Sequence, residues 1–202
     1  MGMMAETYVL QAIQNGLASI AGNTAQLAEI LDALNASELA AAQAYFGNPT
    51  ENKIIVAPGF PMEPTQLPFI GVTVANAEQS MRHTPIGLQM GMTQSGSTWV
   101  NTQGAVFDGT IKCTLYTPNA DLVIWLSEIM AWAMLSQFAL FTNAGFGNLQ
   151  VVLGDYEPQP AFLPIFTFAR GVFLRALFTK SFTTVPLQSI TSATVTLTDT
   201  NS

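Results

Sequence analysis

The first third of the chain has apolar residues at the spacing of amphipathic helices. Residues Ala5 to Ile20 predict a first helix. A second helix is predicted from Thr24, whose side chain suits a cap, to Phe46, which precedes Gly47-Asn48-Pro49. Residues 47–68 then contain five prolines. Because proline removes a backbone donor, this stretch predicts an ordered arm or a flexible loop, not sheet.

Alternation with a period of two follows and predicts strands. Phe69 to Ala75 is a short β-rich run, and apolar residues alternate with small or polar ones over Ile86–Met92 and Phe107–Leu115. Gly109 lies on the inward side of this pattern, so we expect a bulge or a close backbone approach there. Residues 93–103, with Trp99, are predicted to form the exposed loop of a long hairpin.

A long apolar helix is predicted from Thr117 to Asn143. A threonine cap, a proline in the first turn and Asp121 near the positive end of the helix dipole favour its start, and Gly145 follows its end. Apolar side chains cover most of its circumference, so something must cover it on every side. We expect neighbouring subunits to supply part of that cover.

The remaining pattern is β-like. Leu149–Leu153 predicts a strand, and Gly154 to Pro158 a turn. Ile165–Phe182 predicts a long strand with a bulge at Gly171, although its apolar positions also permit a helix.

These elements predict an α+β fold. N-terminal helices precede a mostly antiparallel sheet of about five strands, with the long apolar helix packed on it, in the order ααβββαββ. The chain divides into a helical region with a Pro-rich arm (1–66), an α+β core (67–182) and a Thr/Ser-rich arm (183–202). Ala193–Leu197 alternates like a strand, and we expect the C-terminal arm to lie on a neighbouring subunit.

Composition narrows the classes of protein. Apolar residues make up 49% of the 202 residues and charged residues only 9%, against roughly 25% charged in a typical soluble domain. The surplus apolar surface therefore faces either lipid or other protein subunits. Leu122–Phe141 is long enough to span a bilayer, but it carries Glu128 near its middle and no flanking basic residues, so we predict no membrane span.

Charge and reactive groups exclude several functions. The net charge is −7, and no two of the six basic residues are adjacent, so tight nucleic-acid binding is not expected. Cys113, the single cysteine, is predicted to be a buried core side chain in a reducing compartment. His83, the single histidine, has no partner motif, and one His with one Cys cannot form a zinc site. We predict no catalysis, no metal and no cofactor.

The order of elements resembles that of bacteriophage tail-terminator and neck proteins, and three segments match it. They are Leu67-Pro68-Phe69-Ile70-Gly71-Val72 as an opening strand, the hairpin from Gly104 into the helix start at Thr117-Pro118-Asn119-Ala120-Asp121, and Gly154-Asp155 before an Arg-containing strand at Phe168-Ala169-Arg170-Gly171-Val172. The resemblance covers residues 67–180. The N-terminal region and the Thr/Ser-rich tail exceed what a minimal terminator needs.

The resemblance implies a virion structural role without catalysis or cofactor. Such proteins form closed rings, usually sixfold, that cap the tail tube and join it to the head connector. This chain would then assemble with itself as a hexamer in the virion neck or tail, after synthesis in the host cytoplasm, and contact tube, sheath and connector proteins. DNA would pass through the ring without tight binding. A tail-tube or minor virion subunit is the alternative, and a small-molecule binding module or enzyme is a further one.

Two sets of residues are candidates for these roles. The candidates for the assembly interface are Arg170, Arg175, Trp125, Trp132 and Trp99. Each arginine would need a partner across a subunit contact if partly buried, and otherwise lies at an exposed edge. Candidates for an acidic lumen are Asp108, Asp155 and Glu157, each of which is equally compatible with a solvated turn.

Overall fold

The computed structural model describes residues 5–63, 66–80, 82, 89–95, 98–157, 167–183 and 187–188. Within these residues the chain forms five helices and seven strands of a mostly antiparallel α+β fold, which confirms the predicted fold class. The helices are α1 (Ala5–Ile20), α2 (Thr24–Ile30), α3 (Ala36–Phe46), α4 (Ala120–Ser136) and α5 (Phe138–Asn143). The strands are β1 (Ile55–Pro58), β2 (Phe69–Gln79), β3 (Gln89–Ser95), β4 (Thr98–Thr117), β5 (Gly147–Glu157), β6 (Phe168–Thr183) and β7 (Leu187–Gln188).

A single sheet holds these strands, in the order β1-β2-β4-β6-β5. The parallel β1–β2 pair is the exception among antiparallel pairings. β3 and β7 both pair with Thr98 and Trp99 at the start of β4, so they flank its two sides. β4 is 20 residues long and serves as the central strand.

The predicted first helix is confirmed with its bounds, whereas the predicted second helix is two helices. Asn35 interrupts the Thr24–Phe46 pattern because its side chain accepts hydrogen bonds from the backbone N–H groups of Ser37 and Glu38, while Glu38 reaches back to the Asn35 N–H. This reciprocal cap starts a new helix. Asn23, not Thr24, caps α2.

The long apolar helix forms, but its cover comes largely from within the chain. α4 begins after Asn119, which caps it in place of Thr117, and Gln137 separates it from α5. α4 packs against β4, β5 and β6, and α1 lies against it as well. At Gly16 the contact is so close that an added Cβ would overlap the Cβ of Ala133. α1 therefore supplies much of this cover from within the chain, while Ile124 and Leu135 of α4 stay exposed, so cover of part of the helix by neighbouring subunits stays a prediction.

Part of the Pro-rich stretch is sheet, contrary to prediction. Ile55–Pro58 forms the edge strand β1, where Ile55 N–H donates to Pro68 O at 3.0 Å and Gly59 N–H donates to Val72 O at 3.1 Å. The segment from Thr50 to Ala57 has no proline, so its backbone donors are free to pair.

The predicted loops at 93–103 and 154–158 are largely strand. Residues 93–95 belong to β3 and 98–103 to β4, in a ladder held by backbone pairing between mostly polar residues. Residues 154–157 continue β5, and the register with β6 shifts between Leu153 and Tyr156. The bulge therefore lies in β5, because Gly171 itself pairs with Thr114 in an unbroken β4–β6 ladder.

Two predictions for β4 are confirmed. Cys113 is fully buried in the core between sheet and helices. Gly109 admits a close approach: an added Cβ would lie 2.6 Å from Cε1 of Phe178. Residues 83–88 and 189–202, with His83 and the Ala193–Leu197 pattern, lie outside the described residues.

Candidate assembly surfaces

The two faces of the sheet have different surroundings, and β6 shows this best. Successive side chains on a strand point to opposite faces. Val172, Leu174 and Ala176 belong to the core beneath the helices, whereas Phe173, Arg175 and Leu177 are on the other face and remain half-buried or exposed. We call these the covered face and the open face.

Arg170 lies on the covered face and is held inside the chain. Its Nε donates to Gly154 O in β5 at 2.9 Å, and its Nη1 donates to the Ser127 hydroxyl in α4 at 2.8 Å. Ser127 is completely buried and donates in turn to Ile124 O at 2.7 Å. Arg170 therefore joins β6, β5 and α4 within the chain, and a further role for its guanidinium between subunits stays a prediction.

Arg175 points the other way. It is exposed, and its backbone pairs across the ladder with Thr110 on one side and Gln150 on the other. Its side chain makes no hydrogen bond or ion pair with any described residue. Next to it, Phe173 rests on the glycine backbone of β5 and β6, with Lys112 Nζ 5.8 Å from its ring centroid. Arg175 stays a candidate for assembly on this surface.

The open face is defined by nine residues around Arg175. In β2 they are Thr73, Asn76 and Glu78; in β4, Asp108, Thr110 and Lys112; in β6, Phe173, Arg175 and Leu177. Asn76 Oδ1 accepts a hydrogen bond from Thr110 N–H at 3.2 Å, where the β2 register shifts. Towards β1 a small apolar cluster of Phe69, Tyr116 and Ala169 closes this side of the sheet. The open face is thus a polar and aromatic strip of limited extent.

The structure describes the side chains of two of the three tryptophan candidates. Trp125 is buried in the core, so the interface prediction for it is wrong. Trp132 is half-buried against the core and close to α1 at Gly16. The backbone of Trp99 pairs in β4 near the hairpin tip, whereas its side chain lies outside the described part.

The three acidic candidates lie in strands, not in loops as predicted. Asp108 is exposed on the open face, directly opposite Glu78 of β2. Asp155 and Glu157 belong to β5, and their side chains lie outside the described part. The carboxylates of Asp108 and Glu78 lie side by side, so they give this end of the open face a negative potential.

Sequence reasoning missed an exposed apolar strip on the helices. Ile124, Leu135 and Phe138 are 39%, 62% and 55% exposed. Ile124 and Leu135 are eleven residues apart, which places them on one side of α4. The sequence of α4 is apolar on nearly all sides of the helix, so no polar face indicates which of its residues are exposed to solvent.

The hairpin forms a ribbon beyond the helices. Neither β3 nor residues 98–106 of β4 contribute a described side chain to the hydrophobic core, which starts at Phe107. Nine residues of strand from Phe107 to Thr98 extend about 30 Å. β6 accompanies the ribbon as far as Thr183, opposite Thr102. This projection offers backbone and side chains well away from the body.

Groups able to do chemistry are not brought together in the described residues. Burial raises the pKa of the Cys113 thiol, so it stays protonated and unreactive. No cluster of three His, Cys, Asp or Glu suitable for a metal occurs within the described ranges. A recess of about 210 Å³ beside α1 is mainly apolar, with Asn52 and Lys53 as polar members, and is smaller than a usual ligand site.

The lengths and apolar character of the helices can be compared with those of membrane-spanning helices. In the part of the chain that the structure describes, none of them has the length and apolar character needed to cross a bilayer.

No protein-family model matches the chain, and no curated protein matches it significantly.

Proposed function

We propose that this chain is a self-assembling virion structural subunit of the phage tail-terminator or neck class, which forms a closed, sixfold ring in the path of the DNA. The observation that carries the proposal is the sheet whose described helices all lie on one face, in a chain with 9% charged residues. Its open face presents Phe173, Arg175 and Leu177 to solvent.

The physical case begins with residue types. Arginine and aromatic residues are enriched in protein interfaces, and an exposed arginine without an internal partner is available to a carboxylate across a contact. The exposed Ile124, Leu135 and Phe138 add apolar area on the opposite side of the subunit. Two different interaction surfaces, the open face and the exposed apolar residues on the helices, favour head-to-tail contacts that close into a ring.

The order of elements supports the same class. Over residues 67–180 the chain runs from β2 through the β3–β4 hairpin to α4 and α5, then β5 and β6. This is the order on which the resemblance to tail-terminator proteins rests. Fold analogy by itself does not establish function, so the assembly state has to be measured.

Native mass spectrometry and negative-stain microscopy of the full chain test the proposal. We expect a discrete species of six subunits and ring-shaped particles. Open tubes would favour the alternative tail-tube role. A monomer at micromolar concentration would overturn both.

The contribution of Arg175 is tested by charge reversal. Arg175→Glu should reduce the assembled fraction and leave the far-UV circular dichroism unchanged, because the side chain is exposed in the subunit. Lys53→Glu is the matched control, since it makes the same charge change at an exposed position outside the open face. Equal assembly of the two variants would remove Arg175 from the interface.

A conduit must let DNA slide. The acidic pair Glu78 and Asp108 and the net charge of −7 disfavour phosphate contacts. Gel-shift titration with duplex DNA should therefore show no retarded complex at submicromolar protein. A complex that weakens steeply with salt would replace the conduit role with DNA clamping.

A further inference from the structure

The described chain leaves the subunit at the tip of the ribbon. β6 runs antiparallel to β4, from Phe168 opposite Thr117 to Thr183 opposite Thr102. β7 continues in the same direction, with Leu187 opposite Trp99 and Gln188 opposite Thr98. Each step therefore carries the chain away from its own core, and residues 189–202 start at the far end of the ribbon.

At the opposite end of the sheet, the outer edge of β5 has no strand partner among the described residues. β5 is the last strand in the order, with β6 on one side and no described strand on the other. It is 11 residues long, and its first eight residues, 147–154, contain no charged residue and no proline. Charged residues and prolines on an edge strand discourage pairing with another chain, and residues 147–154 carry neither, although the ladder with β6 is regular only over Gln150–Leu153.

Side chains beside this edge are apolar and exposed. Leu153 lies on the covered face of β5 yet is 39% exposed. Ile124, also 39% exposed, is one helical turn from Ser127, which Arg170 links to β5. A strand added here would cover Leu153 on the helix side.

We propose that residues 193–197 of one copy add as a strand to the β5 edge of a second copy, a contact that rests on the proposed self-assembly. In this segment Ala193, Val195 and Leu197 alternate with Thr194 and Thr196. The three apolar residues suit the helix side beside Leu153, and the two threonines suit the open face beside Gln150. Backbone hydrogen bonds supply the affinity in such strand addition, and the alternate side chains supply the specificity.

The distance excludes pairing of this segment with its own β5. Val151 lies opposite Leu174, and Leu174 opposite Ile111, which is thirteen residues along β4 from Thr98. That separation is about 43 Å along the strand. Val195 follows Gln188 by seven residues, which span about 25 Å at most. With β7 paired at the ribbon tip, only another subunit can present the edge.

Cysteine cross-linking between two differently substituted proteins tests the contact. Cys113 is buried, so it does not form disulfides in the folded chain and need not be removed. A tagged Gln150→Cys protein is mixed with a Thr194→Cys or a Thr196→Cys protein, and the mixture is oxidised mildly. We expect an intermolecular disulfide-linked pair. Thr179→Cys, exposed on β6 away from the β5 edge, replaces Gln150→Cys in the control and should not cross-link.

Proline variants test whether backbone pairing is the cause. Val195→Pro removes a donor within the proposed strand and should lower the cross-linked fraction about tenfold, whereas Thr200→Pro, outside the strand, should not. Absence of the cross-link in a full chain that assembles would overturn the proposal, as would equal cross-linking in Val195→Pro.

Failure of the proposed function is separately visible. If the unsubstituted full chain stays monomeric, the self-assembly role fails and takes the strand contact with it. If it assembles, and a chain shortened to residues 1–188 assembles equally well with the same hydrogen-exchange protection at the β5 amides, only the strand contact fails.

Discussion

Arg170 and Arg175 lie five residues apart on the same strand, yet they belong to different regions of the molecule. Arg170 faces the helices and donates to Gly154 O and to the buried Ser127 hydroxyl. Arg175 faces the open side and has no partner among the described residues. An odd spacing on a strand places two residues on opposite faces. The same residue type therefore makes hydrogen bonds within the subunit on one face and is exposed on the other.

The largest difference between the two faces is expected for leucine truncation on β6. Leu174→Ala empties a site on the covered face, where Leu174 is 1% exposed, and should cost about 2–5 kcal/mol of the free energy of unfolding. Leu177→Ala on the open face should cost about 1 kcal/mol or less. Urea denaturation at high dilution, where assembly does not contribute, measures both. Equal losses would contradict the assignment of faces.

The arginines give the next largest contrast. Arg170→Ala removes two charge-assisted hydrogen bonds and leaves the Gly154 carbonyl and Ser127 without this donor, so we expect a loss of about 2–4 kcal/mol. Arg175→Ala should change the unfolding free energy by less than about 0.5 kcal/mol, because its side chain is exposed. The same denaturation experiment decides. A neutral Arg170→Ala would mean that the contact to α4 contributes no stability.

Substitution of two strand glycines compares the packed core, at Gly109, with the ribbon, at Gly91. Gly109→Ala places a Cβ 2.6 Å from Cε1 of Phe178, whose ring is packed by Phe107 and Phe146, and should destabilise by about 1–3 kcal/mol. Gly91→Ala, in β3, meets no atom within 4 Å and should stay within about 0.5 kcal/mol of the wild type. Thermal unfolding of both variants checks this pair. A large loss at Gly91 would show that the ribbon is packed.

The smallest effect concerns pH. Burial raises the pKa of the Cys113 thiol in the folded chain, whereas in the unfolded chain it ionises near pH ~8.5. Above that pH the unfolded state loses a proton that the folded state keeps. The free energy of unfolding therefore falls by up to about 1.4 kcal/mol for each pH unit.

Cys113→Ala should flatten this fall between about pH 8.5 and 10. Tyr45, whose pKa is also raised by burial, leaves a residual slope at higher pH. Denaturation series at several pH values compare the two proteins. Identical slopes would show that the thiol reaches solvent without unfolding.

Prediction from sequence succeeded where a pattern depends on residues close together in the chain. Helix α1 has its predicted bounds, Cys113 is in the core, and Gly109 admits a neighbouring ring. It failed where a local cap lies within a continuous apolar pattern, and where a local pattern competes with a partner far away. The break at Asn35 depends on a cap within the apolar pattern of one predicted helix, and β1 forms in the Pro-rich stretch because β2 offers a parallel edge.

The candidate interface shows the same limit. Sequence singled out two arginines and three tryptophans by type, but type does not say which side of a sheet a residue faces. Trp125 and Arg170 are held within the subunit, whereas the exposed Ile124, Leu135 and Phe138 looked like core. Burial depends on what packs against each face, which involves residues as distant as α1 and α4.

The amino-acid sequence by itself determined the helical N-terminus, the β-rich remainder and a chain poor in charge and in groups for catalysis. These properties follow from side-chain type and local spacing, which need no partner. Only the tertiary structure decided that α1 covers α4, that Arg170 is an internal link while Arg175 is not, and that β5 is the last strand of the sheet among the described residues. Each of these depends on hydrogen bonds and packing between segments far apart in sequence, and no local pattern encodes which segments will meet.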